Sequence, residues 1–146
     1  MSSQWVDQTN ASGHALVRPA LYVVATPIGN LADISARALA VLAAADSVYA
    51  EDTRHSSQLT RHFGIDATLR AFHDHSDRRA VDAALQRLRA GDMLALVSDA
   101  GTPLISDPGY GLVAAVVAAG FPVIPIPGAS AVLAALAVAA MPTDRF

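Results

Sequence analysis

The sequence predicts an α/β domain with a mainly parallel five-stranded sheet flanked by helices. Three observations carry that reading. Short apolar runs alternate with longer stretches of helical periodicity, the order of a chain that winds back and forth across one sheet. Those runs are continuously apolar, as strands covered on both faces must be. Each cluster of glycine, proline and polar residues follows directly after one of them. Strands joined by right-handed crossovers point the same way, so PIGN, EDTR, HDHSD, SDAGTP and PGAS are expected on one rim. Five βα units are too few to close an eight-stranded barrel.

The elements follow in order. Residues 1–19 are polar and irregular and are expected to form a mobile tail, leaving 20–146 as the domain. LYVVAT at 21–26 is the first strand. Asp33 is expected to cap a helix over 34–45, where Ala38, Val41, Leu42 and Ala45 fall on one stripe. A short strand at 47–50 leads into Glu51-Asp52-Thr53-Arg54, then a helix over 56–63 closed by Gly64. A weaker strand at 67–72 precedes the helix 78–90, with Asp77 as its expected cap and Val81, Leu85 and Leu88 on one face. Residues 93–97, MLALV, form a buried strand, and 110–119 an apolar helix ending at Gly120. The strand 122–126 carries Pro125, which belongs at a sheet edge, and Ser130 opens a last helix that stops before Pro142.

Composition narrows the chemistry. Hydrophobic residues make up 53% of 146 positions and aromatic ones only 5%, so the core is built from Ala, Val, Leu and Ile. There is no cysteine, which removes disulfides and thiolate chemistry. All ten basic residues are arginine and the formal charge is -3, without the basic stripe that advertises nucleic-acid binding. The start of the chain lacks the basic and apolar segments of a signal peptide. The uncharged region from Gly111 to Met141 is divided by Gly120, Pro122, Pro125, Pro127 and Gly128 into pieces too short to span a bilayer. A cytoplasmic protein with no membrane partner is expected, its last helices buried or set against a partner.

Met93 to Gly109 is where chemistry is expected, because a buried strand ends abruptly in Ser98-Asp99-Ala100-Gly101-Thr102-Pro103. Small residues let a ligand approach the backbone, and backbone groups with Asp99 suit a ligand that carries an amino group and hydroxyls. A Walker loop is excluded, since it needs lysine. Gly109-x-Gly111-x-x-Ala114 fits a dinucleotide pattern but lies far beyond the strand end with no acid about 20 residues on, so it reads as a helix entry. His73-x-His75-x-Asp77 matches the start of a metallo-hydrolase site, but Arg78 stands where the next histidine would be, and no metal is expected. That motif is otherwise a solvated loop, or an imidazole that orients substrate or moves a proton. EDTR reads equally as a salt-bridged loop or as a functional one, and PGAS as an ordinary cap whose position on the rim favours function.

LYVVATPIGNLADIS, AEDTRHS, FHDHS, LVSDAGTPLISDPG and PIPGASA, in that order, resemble the tetrapyrrole (corrin/porphyrin) methylase family from about Leu21 to Phe146. The resemblance implies a class III methyltransferase, a fold unlike the usual Rossmann enzyme, with S-adenosylmethionine held between two domains. Within the family's rRNA branch it implies methylation of the 2'-hydroxyl of a cytidine in 16S rRNA, at the decoding centre, with the small ribosomal subunit as partner. A methylase of a small tetrapyrrole is the alternative, and a metal-dependent hydrolase on His73, His75 and Asp77 a more distant one. By resemblance Pro27 and Gly29 form the first donor-side loop, Gly101-Thr102-Pro103 stands for a Gly-Asp-Pro segment with threonine in the acid's place, and Ser130-Ala131 is a small hydroxyl pair. Ser98, Asp99 and Ala100 complete the donor-binding set. EDTR and FHDH would face the acceptor, with Asp52, Glu51 and His73, or Asp99, as candidate proton acceptors and Arg54 and His75 as substrate contacts. The chain is then expected to be an N-terminal half with weak or no activity alone, and its Ala- and Val-rich face to favour a homodimer.

Overall fold

The computed structural model describes residues 16–73, 78–104 and 109–145. Five strands, β1 (Ala20–Val24), β2 (Ser47–Ala50), β3 (Leu69–Ala71), β4 (Met93–Val97) and β5 (Val123–Ile126), form one sheet in the order β3-β2-β4-β1-β5. All four pairings are parallel. Five helices connect or follow them: α1 (Ala36–Ala44), α2 (Thr53–His62), α3 (Arg78–Arg89), α4 (Tyr110–Ala118) and α5 (Ala131–Val138).

Burial follows position in the sheet. Every residue of β1, β2 and β4 is buried, which explains why these strands read as unbroken apolar runs. The two edges differ: β3 is largely exposed, and β5 is half-buried with Pro125 at the edge, where a missing N–H costs no ladder bond. One core cluster joins Val24, Val48, Met93 and Ala95 to Leu39 and Leu42 of α1 and Leu59 of α2. The other joins Leu21, Tyr49, Leu94 and Leu96 to Leu88 of α3 and Leu112 and Val116 of α4. Hence α1 and α2 cover one face and α3 and α4 the other. Central β4 sends its connection to the face opposite those of its neighbours β2 and β1, the arrangement that opens a crevice at the strand ends.

Local details correct several expectations. Asp33 does not cap the helix after β1; it lies in a 3-10 turn, Leu31–Asp33, capped by Asn30, and Ser35 caps α1 by accepting from the Ala38 N–H. Helix α2 begins at Thr53, three residues before the expected start, because the Asp52 carboxylate accepts from the Arg54 N–H and serves as its cap. β1 ends at Val24, and Thr26 instead forms an antiparallel bridge with Gly101. Ser130 caps α5 as expected. Asp77, the expected cap of α3, lies outside the described residues. Gly109 has φ +124, and a Cβ there would stand 2.7 Å from Leu96 Cδ2, so the entry to α4 requires glycine.

Arg18 and Val17, within the segment read as a tail, contact the domain. Arg18 pairs with Asp46 (2.9 Å) and donates to the Ala44 carbonyl (2.9 Å), and the Val17 N–H donates to the Tyr22 hydroxyl (2.7 Å). Asp46 also accepts from the Met93 N–H at 2.7 Å, and that bond, with Arg18, holds its carboxyl below the usual range. A lowered folded-state pKa stabilises the fold above the ordinary value near 3.9 and ceases to do so as pH falls through the folded value. Asp46→Ala is therefore expected to cost about 1 kcal/mol at neutral pH, discounted for partial exposure. The gap in melting temperature from the parent is expected to narrow as pH falls below the ordinary carboxylate range; an equal gap at neutral and acid pH would exclude the charged bond as its source.

Candidate functional site

The exits of all five strands share one rim because the sheet is wholly parallel. Their order along it follows the sheet: the loop after β3, then EDTR, SDAGTP, PIGN and PGAS. The two loops expected to face an acceptor are thus neighbours, and the three expected to hold a donor are neighbours beside them. The halves meet between β2 and β4, where the Asp52 N–H donates to Asp99 Oδ1 at 3.3 Å.

The donor-side half is built from backbone. Thr26 and Gly101 exchange two backbone hydrogen bonds, Thr26 N–H to Gly101 O at 2.8 Å and the reverse at 3.1 Å. Ser98 Oγ also donates to Gly101 O at 2.8 Å, and Thr26 Oγ1 to Ser98 O at 3.1 Å. These bonds satisfy buried polar groups while fixing the loop. Gly101 has φ +83, and a Cβ there would lie 3.4 Å from Ile28 Cγ2 and 3.8 Å from Ala129 O. Three loops therefore come within van der Waals reach of one another. Pro103 and Pro27 are buried, Ala100, Thr102 and Ala131 are exposed, and Gly29 (φ +140) has open space where a Cβ would stand. Leu104, at φ +73, holds a conformation that costs a non-glycine residue about 1–3 kcal/mol, a strain that collects at functional loops. Residues 27–30, 98–103 and 127–131 contain no basic side chain and one carboxylate, Asp99, a balance that fits a positively charged ligand.

On the acceptor side both oxygens of Asp52 are committed. Oδ1 accepts from the Arg54 N–H (2.9 Å) and Nε (3.2 Å), and Oδ2 pairs with Arg54 Nη2 (3.1 Å). The Arg54 side chain holds the Asp52 carboxyl down to about 2. Asp52 is thus ionised throughout the physiological range and a poor proton acceptor, while its N–H positions Asp99. Glu51 and His73 are exposed at the exits of β2 and β3. His75 and Asp77 lie outside the described residues, and among the described residues no group of His, Cys, Asp and Glu is arranged to hold a metal ion.

A cleft of about 230 Å³ opens between the donor loops and α2, lined among others by Pro27, Gly29, His55, Ser56, Ser98 and Asp99. His55, Ser56 and Gln58 were not singled out from the sequence. For His55 and Ser56 the signal was present: with Leu59 they follow Asp52 at helical spacings of three, four and seven, so a helix capped by Asp52 turns them toward one side, whereas Gln58 falls off that spacing.

Comparison with known proteins agrees with this architecture. The family model described as Tetrapyrrole (Corrin/Porphyrin) Methylases matches residues 20–146. The chain is 56% identical over 126 residues to the ribosomal RNA small subunit methyltransferase I of Escherichia coli O157:H7, covering 86% of this chain and 44% of that protein. It is 52% identical over 141 residues to the protein of the same name from Mesorhizobium japonicum, covering 97% of this chain and 48% of the other. The chain therefore spans about half the length of these relatives. Among solved structures, a diphthine synthase superposes with a TM-score of 0.67 at 19% identity over 87% of this chain and 51% of its own. A uroporphyrin-III-C-methyltransferase from Thermus thermophilus gives 0.62 at 22% identity over 84% and 53%. At such identities these two establish a shared fold. Among the described residues no helix is long and apolar enough to cross a membrane.

Proposed function

The chain belongs to the tetrapyrrole (corrin/porphyrin) methylase family, and from that membership we propose that the intact protein is an S-adenosylmethionine-dependent methyltransferase of 16S rRNA. Its acceptor is the 2'-hydroxyl of a cytidine at the decoding centre of the small ribosomal subunit. The name shared by the relatives at 50–56% identity supports an rRNA substrate. The observation that carries the reading is the division of the rim into two adjoining halves that meet at the Asp52–Asp99 hydrogen bond.

S-adenosylmethionine, when bound, supplies a methyl group on a positively charged sulfur. Pro27, Gly29, the loop from Ser98 to Pro103, and Ser130 with Ala131 would hold it, with Gly101 allowing close approach and Asp99 supplying the negative charge. The acceptor oxygen must align with the methyl carbon and water must be excluded. Asp99 would accept the proton of the hydroxyl as that oxygen takes up the methyl group. Asp52 keeps Arg54 and the start of α2 in place, and Arg54, Glu51, His73 and His75 contact the nucleotide. The reading includes a homodimer, to be checked by mass in solution.

Calorimetric titration of S-adenosylmethionine into the intact protein tests the donor half. Gly101→Ala is expected to weaken binding about tenfold or more, because a side chain at φ +83 strains the backbone of the loop. A parent protein that takes up no donor would end the reading.

A further inference from the structure

We infer that a cleft between the β3 edge of the sheet and helix α3 holds a phosphodiester of the RNA strand, with Arg70 and the Tyr49 hydroxyl as its main partners. The inference rests on the reading of the intact protein as an RNA methyltransferase and adds an RNA contact outside the loops assigned to methyl transfer.

This cleft, about 750 Å³, is lined among others by Tyr49, Arg70, Gln86, Arg87 and Asp92, and shares no residue with the one beside α2. Tyr49 of β2 stands opposite Arg70 of β3 in the sheet register, so both project to the face that α3 covers. Arg70 Nε donates to Ser47 Oγ at 3.0 Å, which fixes the guanidinium, and no carboxylate pairs with it among the described residues. Arg87 differs, being paired with Asp92 at 3.0 Å. The lining therefore carries one net positive charge, centred on Arg70, and a phosphodiester matches it. Tyr49 is only 4% exposed, with its ring held edge-on to Phe72 at 6.0 Å. Burial raises its pKa, so the hydroxyl keeps its proton at neutral pH and is a donor to an anion. That hydroxyl has no hydrogen-bond partner among the described residues and is not sealed from the cleft.

Charge and shape favour a strand of RNA over a free anion. The whole chain carries -3, whereas residues 70–89 hold five of its ten arginines against three aspartates. The fold gathers those arginines, from β3 and both ends of α3, at one edge of the sheet, where an anionic polymer would be attracted. Ala80, Ala83 and Ala90 line the cleft at helical spacing, so it follows α3 for about 15 Å and lets a sugar-phosphate chain lie close to the helix. Because α3 follows the exit of β3 and returns the chain to the start of β4, the cleft leads away from the acceptor half of the rim. A nucleotide held at the rim would set its neighbours' phosphates along this path, where such contacts fix register without reading sequence.

The test uses the intact protein, with small ribosomal subunits and a single-stranded oligoribonucleotide as probes. Arg70→Gln is expected to weaken binding of both about tenfold and to lower the slope of log affinity against log salt by about 0.7, the loss of one phosphate contact. Tyr49→Phe removes only the hydroxyl and is expected to weaken binding about three- to tenfold. Both variants are expected to keep the parent's melting temperature and S-adenosylmethionine affinity. Gln86 is exposed in the same lining, so Gln86→Glu is expected to weaken RNA binding and Gln86→Lys to tighten it, which decides the matter should Arg70→Gln fold poorly. Unchanged RNA affinity and salt slope in Arg70→Gln, or in both Gln86 variants, would overturn the inference. So would uptake of inorganic phosphate that Arg70→Gln abolishes while RNA affinity stays at the parent value. An inward-pointing charge on an edge strand also guards against pairing with another chain; self-association of Arg70→Gln with RNA affinity kept would assign it that role instead. If the parent binds RNA but transfers no methyl, the functional reading fails and the salt slopes still decide this one.

Discussion

Asp99→Asn in the intact protein is expected to slow methyl transfer to small ribosomal subunits by about 10²- to 10⁴-fold, the range for loss of a positioned proton acceptor. The side chain keeps its shape, and its amide oxygen still accepts from the Asp52 N–H, so the rim keeps its geometry. Only the charge and the basic oxygen are lost. Asp52→Asn makes the contrast. Arg54 already holds Asp52 to about 2, so its carboxylate contributes little basicity and its loss is expected to disturb α2 more than chemistry. Single-turnover rates, with donor affinity measured separately, distinguish the two. A pH–rate profile whose acid limb disappears with Asp52→Asn and persists with Asp99→Asn would reverse the assignment.

Leu94→Ala is expected to destabilise the domain by about 2–5 kcal/mol. Leu94 is fully buried in the central strand, flanked by β1 and β2, and packs in the cluster with Leu21, Leu88, Leu112 and Val116. Those neighbours come from one strand and two helices already in contact, so the space cannot collapse without shifting the sheet. Chemical denaturation should show a lower midpoint with an unchanged slope. A loss below about 1 kcal/mol would mean that α3 and α4 relax into the gap, and that this face is packed more loosely than its burial indicates.

The strands, their parallel direction and the shared rim were legible in the sequence because each rests on a local signal. MLALV and LYVV are covered on both faces, and a strand in that position has no choice but to be apolar along its whole length. Once the strands run parallel, their exits must lie together, so Pro27, Asp52, Asp99 and Ser130 share an edge whatever the strand order. Other elements were read less well for equally physical reasons. Asp33 and Ser35 are both good caps two residues apart, and only the 3-10 turn at Leu31–Asp33 decides between them. In sequence Asp52 is a carboxylate beside a guanidinium; that it also caps α2, by accepting from the Arg54 N–H, shows only in the structure.

By itself the sequence determined the class of fold, the family, and which loops carry the polar residues, since all three depend on residue type and order along the chain. The tertiary structure alone decided how those loops are shared out along the rim, because the order β3-β2-β4-β1-β5 arises from crossovers that no local pattern encodes. That order sets Asp99 against Asp52, 47 residues away, and places the start of α2 along a cleft walled by the loops of other strands. Contacts of that range depend on how packed elements meet in space, and a chain read from one end to the other does not contain them.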